Sequence, residues 1–300
     1  MSAPKVELDR LAMLMMIVLC AIWGAQQVVV KLGNEGISPL WQSGLRSLGA
    51  TGLVLLWSRF RGVKLREADG TLWPGLLAGT LFAAEFALIF TGLQFTSASR
   101  GVIFLYTAPF FVALGARWLL PGESMRRAQW AGMALAFSGV VALFGENLLR
   151  PAGQAWIGDL MMLVAALLWA ATTLTIKATP LTRAVAEKTL LYQLGVSALV
   201  LPCLSWALGE PGVFAPTATV WASLAFQIVV IATASYLAWF WLIRHYPATR
   251  LSSFSFLTPV MGVLAGVVFL GEPFTPLVML ALSLVGAGIW VANRPQKRAP

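Results

Sequence analysis

A chain of 300 residues that is 59% hydrophobic and 11% charged cannot clothe itself in water-facing side chains; soluble domains carry about 25% charged residues. Its formal net charge of +9 sits in short segments between apolar runs, not on one basic face, which argues against a nucleic-acid partner. Thirteen Trp and seventeen Phe point instead to lipid as the main solvent, with aromatic belts at its surfaces.

A helix needs about 20 apolar residues to cross the hydrocarbon, and a long run there satisfies its backbone only as helix. Ten runs qualify, at approximately 11–31, 38–60, 71–93, 97–120, 125–145, 155–177, 183–209, 216–244, 248–270 and 274–293. The expected fold is an all-α polytopic membrane protein with ten transmembrane helices. The first run lacks a small-residue cleavage site and reads as a retained span. It carries Cys20, Trp23, Gln26 and Gln27. In the second, Gln42 stands one turn before Arg46. The third holds Glu85 near its middle.

A charge at membrane depth costs about 2.5–3.5 kcal/mol on insertion scales, so Arg46 and Glu85 are candidates by position alone. At 1.5 Å per residue, Arg46 lies roughly 10 Å and Glu85 roughly 12 Å below the outer ends of their helices. Similar depth on consecutive helices allows an ion pair. Such a pair either fixes helix packing or lines a cavity. In a cavity Arg46 would meet a substrate carboxylate, and Glu85 an ammonium group or a coupling proton.

The fourth run opens on Arg100 and continues through Tyr106 to Pro109. The sixth carries Trp169, Thr172 and Thr173, and the seventh Tyr192 and Gln193. The eighth holds Ser235, Tyr236 and Trp239, and the ninth runs from Arg250 through four hydroxyls to Pro259. Amides and hydroxyls give hydrogen bonds without the full cost of a charge, and aromatic walls give apolar contact. The same Ser and Thr also bond helix backbones. Pro109 and Pro259 interrupt their hydrogen-bond ladders and serve as gating hinges or as static bends. Arg100 and Arg250 read as interfacial anchors, or one of them gates access. Gly75 with Gly79, and Gly262 with Gly266, are spaced for close helix approach. Cys20 and Cys203 lack partners at metal-ligand spacing and read as small buried packing residues.

Lys and Arg in the connections set the orientation. With a cytoplasmic N-terminus, only Lys31, Arg46, Arg100 and Arg150 of the 21 basic residues fall away from the inner side, leaving 17 there. Both termini are therefore expected inside.

The chain also repeats itself. Trp23 precedes Lys31 by eight residues, as Trp169 precedes Lys177. Arg100 precedes Pro109 by nine, as Arg250 precedes Pro259. Gly122-Glu123 and Gly271-Glu272 follow, each with a Gly sixteen residues past the Glu, at Gly139 and Gly288. Five spans per half is an odd number, so the halves enter the membrane in opposite senses, a recurring plan of transporters. The expected repeats are residues 1–148 and 153–294, with 295–300 as a cytoplasmic tail.

On these Trp-to-Lys pairs, the stretches Leu105-Tyr106-Thr107-Ala108-Pro109 and Phe256-Leu257-Thr258-Pro259, and the two Gly-Glu turns, the chain resembles the drug/metabolite transporter superfamily, in particular its EamA-type exporters. The resemblance implies a central cavity lined by spans one to four and six to nine. It also implies export of amino acids and related metabolites. The small four-span multidrug members use a Glu in their first span, and this first span has no acid.

Other classes find little footing. No Gly-x-Ser-x-Gly turn, His-Glu-x-x-His site or Gly-x-x-x-x-Gly-Lys-Ser/Thr loop occurs. The lone histidine, His245, sits at a span end. The expectation is a secondary transporter, not an enzyme, in the inner membrane, with the bilayer and a small molecule as its partners and a monomer as working unit. It needs no cofactor and no metal. Trp23, Gln27, Gln42, Arg46, Glu85, Tyr106, Trp169, Thr173, Tyr236 and Trp239 are the candidate substrate contacts. Efflux of drugs or other amphipathic compounds is the alternative.

Overall fold

The computed structural model describes residues 7–67, 69–120, 123, 125–145, 153–270 and 275–294, with the backbone alone at Gln27, Ala98, Ser99 and 265–270. Regular structure among the described residues is helical, apart from one antiparallel bridge between Ile37 and Val213.

Helix α1 (Arg10–Asn34) starts where the Asp9 carboxylate accepts the Ala12 N–H at 2.9 Å. Helix α2 (Pro39–Phe60) opens on a proline, whose missing N–H is no loss in a first turn. Then come α3 (Leu72–Phe95), α4 (Ala98–Leu105), α5 (Ala108–Leu119) and α6 (Arg127–Phe144). The next elements are α7 (Ala155–Ala178), a 3₁₀ turn at Pro180–Arg183, and α8 (Ala186–Ala207). Helix α9 (Ala218–Phe226) passes through a π-helical stretch, Gln227–Ser235, into α10 (Tyr236–His245). Last are α11 (Ala248–Phe254), α12 (Leu257–Leu270) and α13 (Pro276–Asn293).

Eight of these stretches are long and apolar enough to cross a membrane: 10–34, 72–95, 100–119, 127–144, 155–178, 186–207, 218–245 and 276–293. The α2 stretch and the broken α11–α12 stretch fall outside that set.

The exterior carries large apolar side chains while Arg46, Glu85, Asp159, Lys188 and Arg250 lie buried, the reverse of a water-soluble domain. The end of the bundle where α1 begins is called proximal here. Exposed Trp57, Trp73, Trp118 and Trp290 stand at proximal helix ends, and Trp156, Trp206 and Trp221 at distal ones. These are two belts at the levels expected of lipid headgroups. Cys203 is exposed on this apolar exterior, which corrects the buried reading; Cys20 is buried.

The most extensive helix pairings are α6 with α13, α3 with α7, and α2 with α8. Small residues set the closest approaches. A Cβ on Gly24 of α1 would lie 2.6 Å from the Gly262 nitrogen of α12. A Cβ on Gly75 would lie 2.4 Å from the Tyr192 ring, as the glycine spacing in α3 predicts.

Two breaks differ from the straight spans read from sequence. Helix α4 ends at Leu105 and α12 begins two residues past Ser255. Pro109 lacks the N–H that would reach the Leu105 carbonyl, and Pro259 the one for Ser255. The helices restart so that each proline falls in a first turn, where no donor is missed. No proline or glycine in Gln227–Ser235 marks the π-helical stretch. There the Thr233 hydroxyl donates to the carbonyl five residues back, Ile228 O, at 2.7 Å.

Candidate functional site

Between α1, α3, α4, α7, α8 and the π–α10 rod lies a cavity of about 80 Å³, roughly six times the volume that a single water needs. Aromatic side chains dominate it: Trp23, Phe82, Phe86, Tyr106, Trp169, Tyr236, Trp239 and Phe240. Their edges meet faces, with Trp23 to Trp239 at 5.4 Å and Tyr106 to Trp169 at 5.9 Å between ring centroids. Such T-shaped pairs hold a wall rigid. The Trp23 indole N–H donates to Ser235 Oγ at 2.9 Å, and that hydroxyl donates to Ile231 O at 2.6 Å. The π-helical stretch thus fixes the first-helix tryptophan.

One carboxylate faces this space. Glu85 of α3 lines the cavity and is 6% exposed. Gln26, Thr172, Thr173 and Gln193 add polar points. Neither amide atom of Gln193 has a hydrogen-bond partner, and both are buried. A solute with a donor and an acceptor side by side would satisfy it.

Of the residues expected from sequence, Trp23, Glu85, Tyr106, Trp169, Thr173, Tyr236 and Trp239 all line the cavity. Gln42 does not. Its Nε2 donates to Asn34 Oδ1 at 2.7 Å and to Val30 O at 3.2 Å, and its Oε1 accepts from Gln227 at 2.8 Å. It is a tie between helices, short of the cavity. The Gln27 side chain lies outside the described residues.

Arg46 is fully buried but is not part of the wall. The expected ion pair is not formed: no hydrogen bond reaches any guanidinium nitrogen. Its guanidinium carbon sits 3.9 Å from the Phe86 ring centroid and 5.2 Å from that of Phe90. Phe86, the residue after Glu85, therefore stands between the arginine and the cavity. Arg100 and Arg250 are no mere surface anchors either. Arg100 pairs with Asp159 of α7, with Nε to Oδ2 at 3.2 Å, and buried Arg250 reaches Asn293 O at 3.4 Å.

Both ends of the bundle above and below the cavity are tied. At the distal end Ser38 N donates to Gly212 O at 2.8 Å and Phe214 N to Gly36 O at 2.9 Å, flanking the Ile37–Val213 bridge. Glu210 accepts from the first N–H groups of α2, at 3.2 Å from Leu40 and 3.3 Å from Trp41. At the proximal end Glu123 accepts from Thr249 N at 3.2 Å and faces Lys177 at 3.5 Å. Lys177 also donates to Tyr246 O at 2.8 Å, and the Tyr246 hydroxyl to Asp9 at 2.9 Å. A cavity between two tied ends is the layout of a carrier.

The profile of the EamA-like transporter family matches residues 10–145 and again 156–294. The chain belongs to that family. This EamA-type chain is 26% identical to the inner membrane transporter YedA of Escherichia coli (strain K12), over 88% of its own length and 84% of that protein's. It is 28% identical to the transporter YoaV of Bacillus subtilis (strain 168), over 93% and 95% of the two chains. It is also 28% identical to the "Probable amino-acid metabolite efflux pump" of Salmonella typhimurium, over 90% of each. A solved crystal structure shares the fold at a TM-score of 0.78 and 20% identity, covering 93% of this chain and 97% of that one. The chain is a membrane transporter, not an enzyme.

For an EamA-type carrier, the wall residues that carry no polar mark in the sequence are Phe82, Phe86 and Phe240 with the aliphatic Ile89, Leu105 and Ile176. Nothing singles those three Phe out from lipid-facing Phe. The spacing of Phe82 and Phe86 about Glu85 was the available signal, one turn before and directly after the acid. Of the polar neighbours Tyr192 and Gln193, only Gln193 faces the cavity. Tyr192 packs on Gly75 and its hydroxyl lies 3.2 Å from that of Thr71.

Proposed function

We propose that this chain is a ten-span secondary transporter that exports amino acids or related small metabolites across the inner membrane by alternating access. The observation that carries the reading is the cavity: one carboxylate, Glu85, and two amides, Gln26 and Gln193, amid eight aromatic rings. An amino acid needs such split polarity, with polar points for its backbone groups and rings for its side chain. The names of the Salmonella typhimurium and Escherichia coli relatives as amino-acid metabolite efflux pumps support the same class.

Ten spans follow if α2 and the α11–α12 stretch cross as well as the eight longer apolar stretches. The two matches of the family profile support two inverted five-helix repeats, 1–148 and 153–294, with a tail at 295–300. In that numbering the pairings α2 with α8 and α6 with α13 join second to seventh and fifth to tenth spans. The excess of Lys and Arg at the proximal side supports a cytoplasmic location for both termini. The two prolines, Pro109 and Pro259, then sit at the helix breaks that flex as the ends open in turn. Substrate contacts are Trp23, Glu85, Tyr106, Trp169, Thr173, Gln193, Tyr236 and Trp239.

Counterflow tests this in proteoliposomes loaded with a panel of amino acids, for wild type and Glu85→Gln. Exchange of several amino acids is the expected result. A Glu85→Gln variant that still exchanges but no longer responds to a pH gradient marks Glu85 as a proton site. No flux of any amino acid refutes the substrate class. The aromatic walls would then favour efflux of amphipathic drugs, tested by the same assay with lipophilic amines.

A further inference from the structure

We propose that Arg46 is a tethered counter-charge for Glu85. It takes the place of the solute's cationic group when the cavity is empty, and so lets the empty carrier reorient. The inference rests on the transport reading above and deepens it.

Arg46 has five N–H donors and is fully buried, yet Nε, Nη1 and Nη2 all lack hydrogen-bond partners. Buried polar groups are almost always paired, so a guanidinium held this way needs a second arrangement in which it is paired. Its present contacts are the faces of Phe86 and Phe90, at 3.9 and 5.2 Å. Rings recover part of the lost hydration of a cation. They offer its donors nothing.

An acid stands next to the Phe86 ring on its helix. Glu85 precedes Phe86 on α3; Tyr236, whose hydroxyl approaches the guanidinium without forming a well-aligned hydrogen bond, and Glu85 are the electrostatic neighbours of Arg46. Glu85 faces the cavity, whose wall holds no Lys, Arg or His. Besides Glu85, the ionisable groups on that wall are Tyr106 from the α4–α5 break and Tyr236 from the π–α10 rod. So the cavity carboxylate has two possible cationic partners, a bound solute or Arg46. Rotation about the flexible arginine stem moves the guanidinium from the Phe86 ring to the neighbouring carboxylate.

A carrier that performs net transport must pass through a closed state both loaded and empty. A lone carboxylate in that closed, low-dielectric space is costly. With an amino acid bound, its ammonium group offsets Glu85, and Arg46 on the rings balances its carboxylate. Without solute, Arg46 swings to Glu85. Both closed states are then neutral at this site. Remove Arg46 and a zwitterion leaves one uncompensated negative charge in both closed states, whereas a solute that carries the ammonium group alone leaves the loaded carrier neutral and the empty one charged, so for that solute exchange outlasts net efflux.

The test compares two flux modes in proteoliposomes with amino-acid amides, which keep the ammonium group and lack the carboxylate: exchange, with solute on both sides, and net efflux, with solute on one. In Arg46→Met the ratio of exchange to net efflux should rise by about a hundredfold, the scale of an uncompensated membrane charge. Arg46→Lys, which keeps the charge, should bring the ratio most of the way back. An unchanged ratio in Arg46→Met overturns the proposal, as does a Lys variant that behaves like Met. A readout free of any solute is the melting temperature of the detergent-purified protein. Arg46→Glu and Glu85→Arg should each lower it, and the double exchange should recover most of the loss. Additive losses would mean that the charges never meet. If wild type moves no amino acid, the substrate reading fails by itself, and the charge-exchange series still decides the role of Arg46.

Discussion

Glu123→Gln should unlatch the proximal end. Glu123 links the start of α11 to the end of α7, accepting from Thr249 N at 3.2 Å and facing Lys177 at 3.5 Å. The two side chains are 17% and 9% exposed, so the pair belongs at the upper end of the range for ion pairs near a surface, about 1 kcal/mol. Glutamine still accepts from Thr249, but a neutral acceptor gives roughly half the bond of a charged one, a further loss of about 0.5 kcal/mol. A total of about 1.5 kcal/mol moves the balance between proximal-closed and proximal-open forms by roughly tenfold. Labelling of a cavity cysteine reads this balance. With Cys20 and Cys203 replaced, Thr173→Cys places a thiol on the wall. A membrane-impermeant maleimide applied to the proximal side should label it roughly tenfold faster in Glu123→Gln. An unchanged rate, or faster labelling from the distal side, would refute the assignment of this cluster as the proximal closure.

At the distal end, Glu210→Ala removes the acceptor for Leu40 N and Trp41 N and the partner of the Ser205 hydroxyl at 2.6 Å. Loss of such a cap should lower stability by about 1 kcal/mol, read as a lower melting temperature in detergent with maleimide access gained from the distal side. Gly36→Ala should do more, since its Cβ would lie 2.1 Å from the Ala215 carbonyl oxygen in the clasp; wild-type yield and melting would contradict that packing. Asp69 takes both Lys188 contacts at 2.8 Å and the Thr71 hydroxyl at 2.5 Å, which hold its carboxyl down at about 2, chiefly through Lys188. A depressed folded pKa stabilises above the unfolded value and loses that effect as pH falls through the folded one. Asp69→Asn should therefore melt lower than wild type at neutral pH, with the gap closing as pH falls from about 4 toward 2; a gap that changes between pH 5 and 8 would show another group at work. Trp169→Ala should weaken amino-acid exchange by raising the half-saturating concentration, because the Tyr106–Trp169 wall is lost.

The membrane-crossing character was legible because lipid imposes one demand, an apolar run long enough to span it, and that demand is written residue by residue. Seven cavity residues were legible for a related reason. A polar or amphipathic side chain in such a run needs a partner or a cavity, so Glu85 and Tyr236 announce themselves. The same rule placed Gln42 and Arg46 on the wall, and there it failed. Burial is a property the sequence suggests, but the choice between a helix–helix tie and a cavity depends on which neighbour arrives. Gln42 found Gln227, 185 residues away. Arg46 found two phenylalanine faces. Neither partner has a spacing that a single sequence can reveal. The Pro109 and Pro259 breaks were half legible: proline marks the interruption, but the helix yields at the unmet carbonyl, not at the proline.

The two closures are built from different chemistry, and that difference bears on direction. The distal end is held by a short strand-like pairing of backbone about Ile37 and Val213, plus a carboxylate on free helix N–H groups. Backbone bonds of this kind carry no net charge and respond little to salt. The proximal end is held by side chains, Lys177 with Glu123 and Tyr246 with Asp9, two of them ionised partners across a 3.5 Å gap. A charged group that lets go there is at once solvated by water, so release costs less than breaking the same contact at depth. On the alternating-access proposal, a carrier with these ends should open more readily on the proximal, Lys- and Arg-rich side. If that side is cytoplasmic, the resting protein presents its cavity to the cell interior, where an exporter must collect its load.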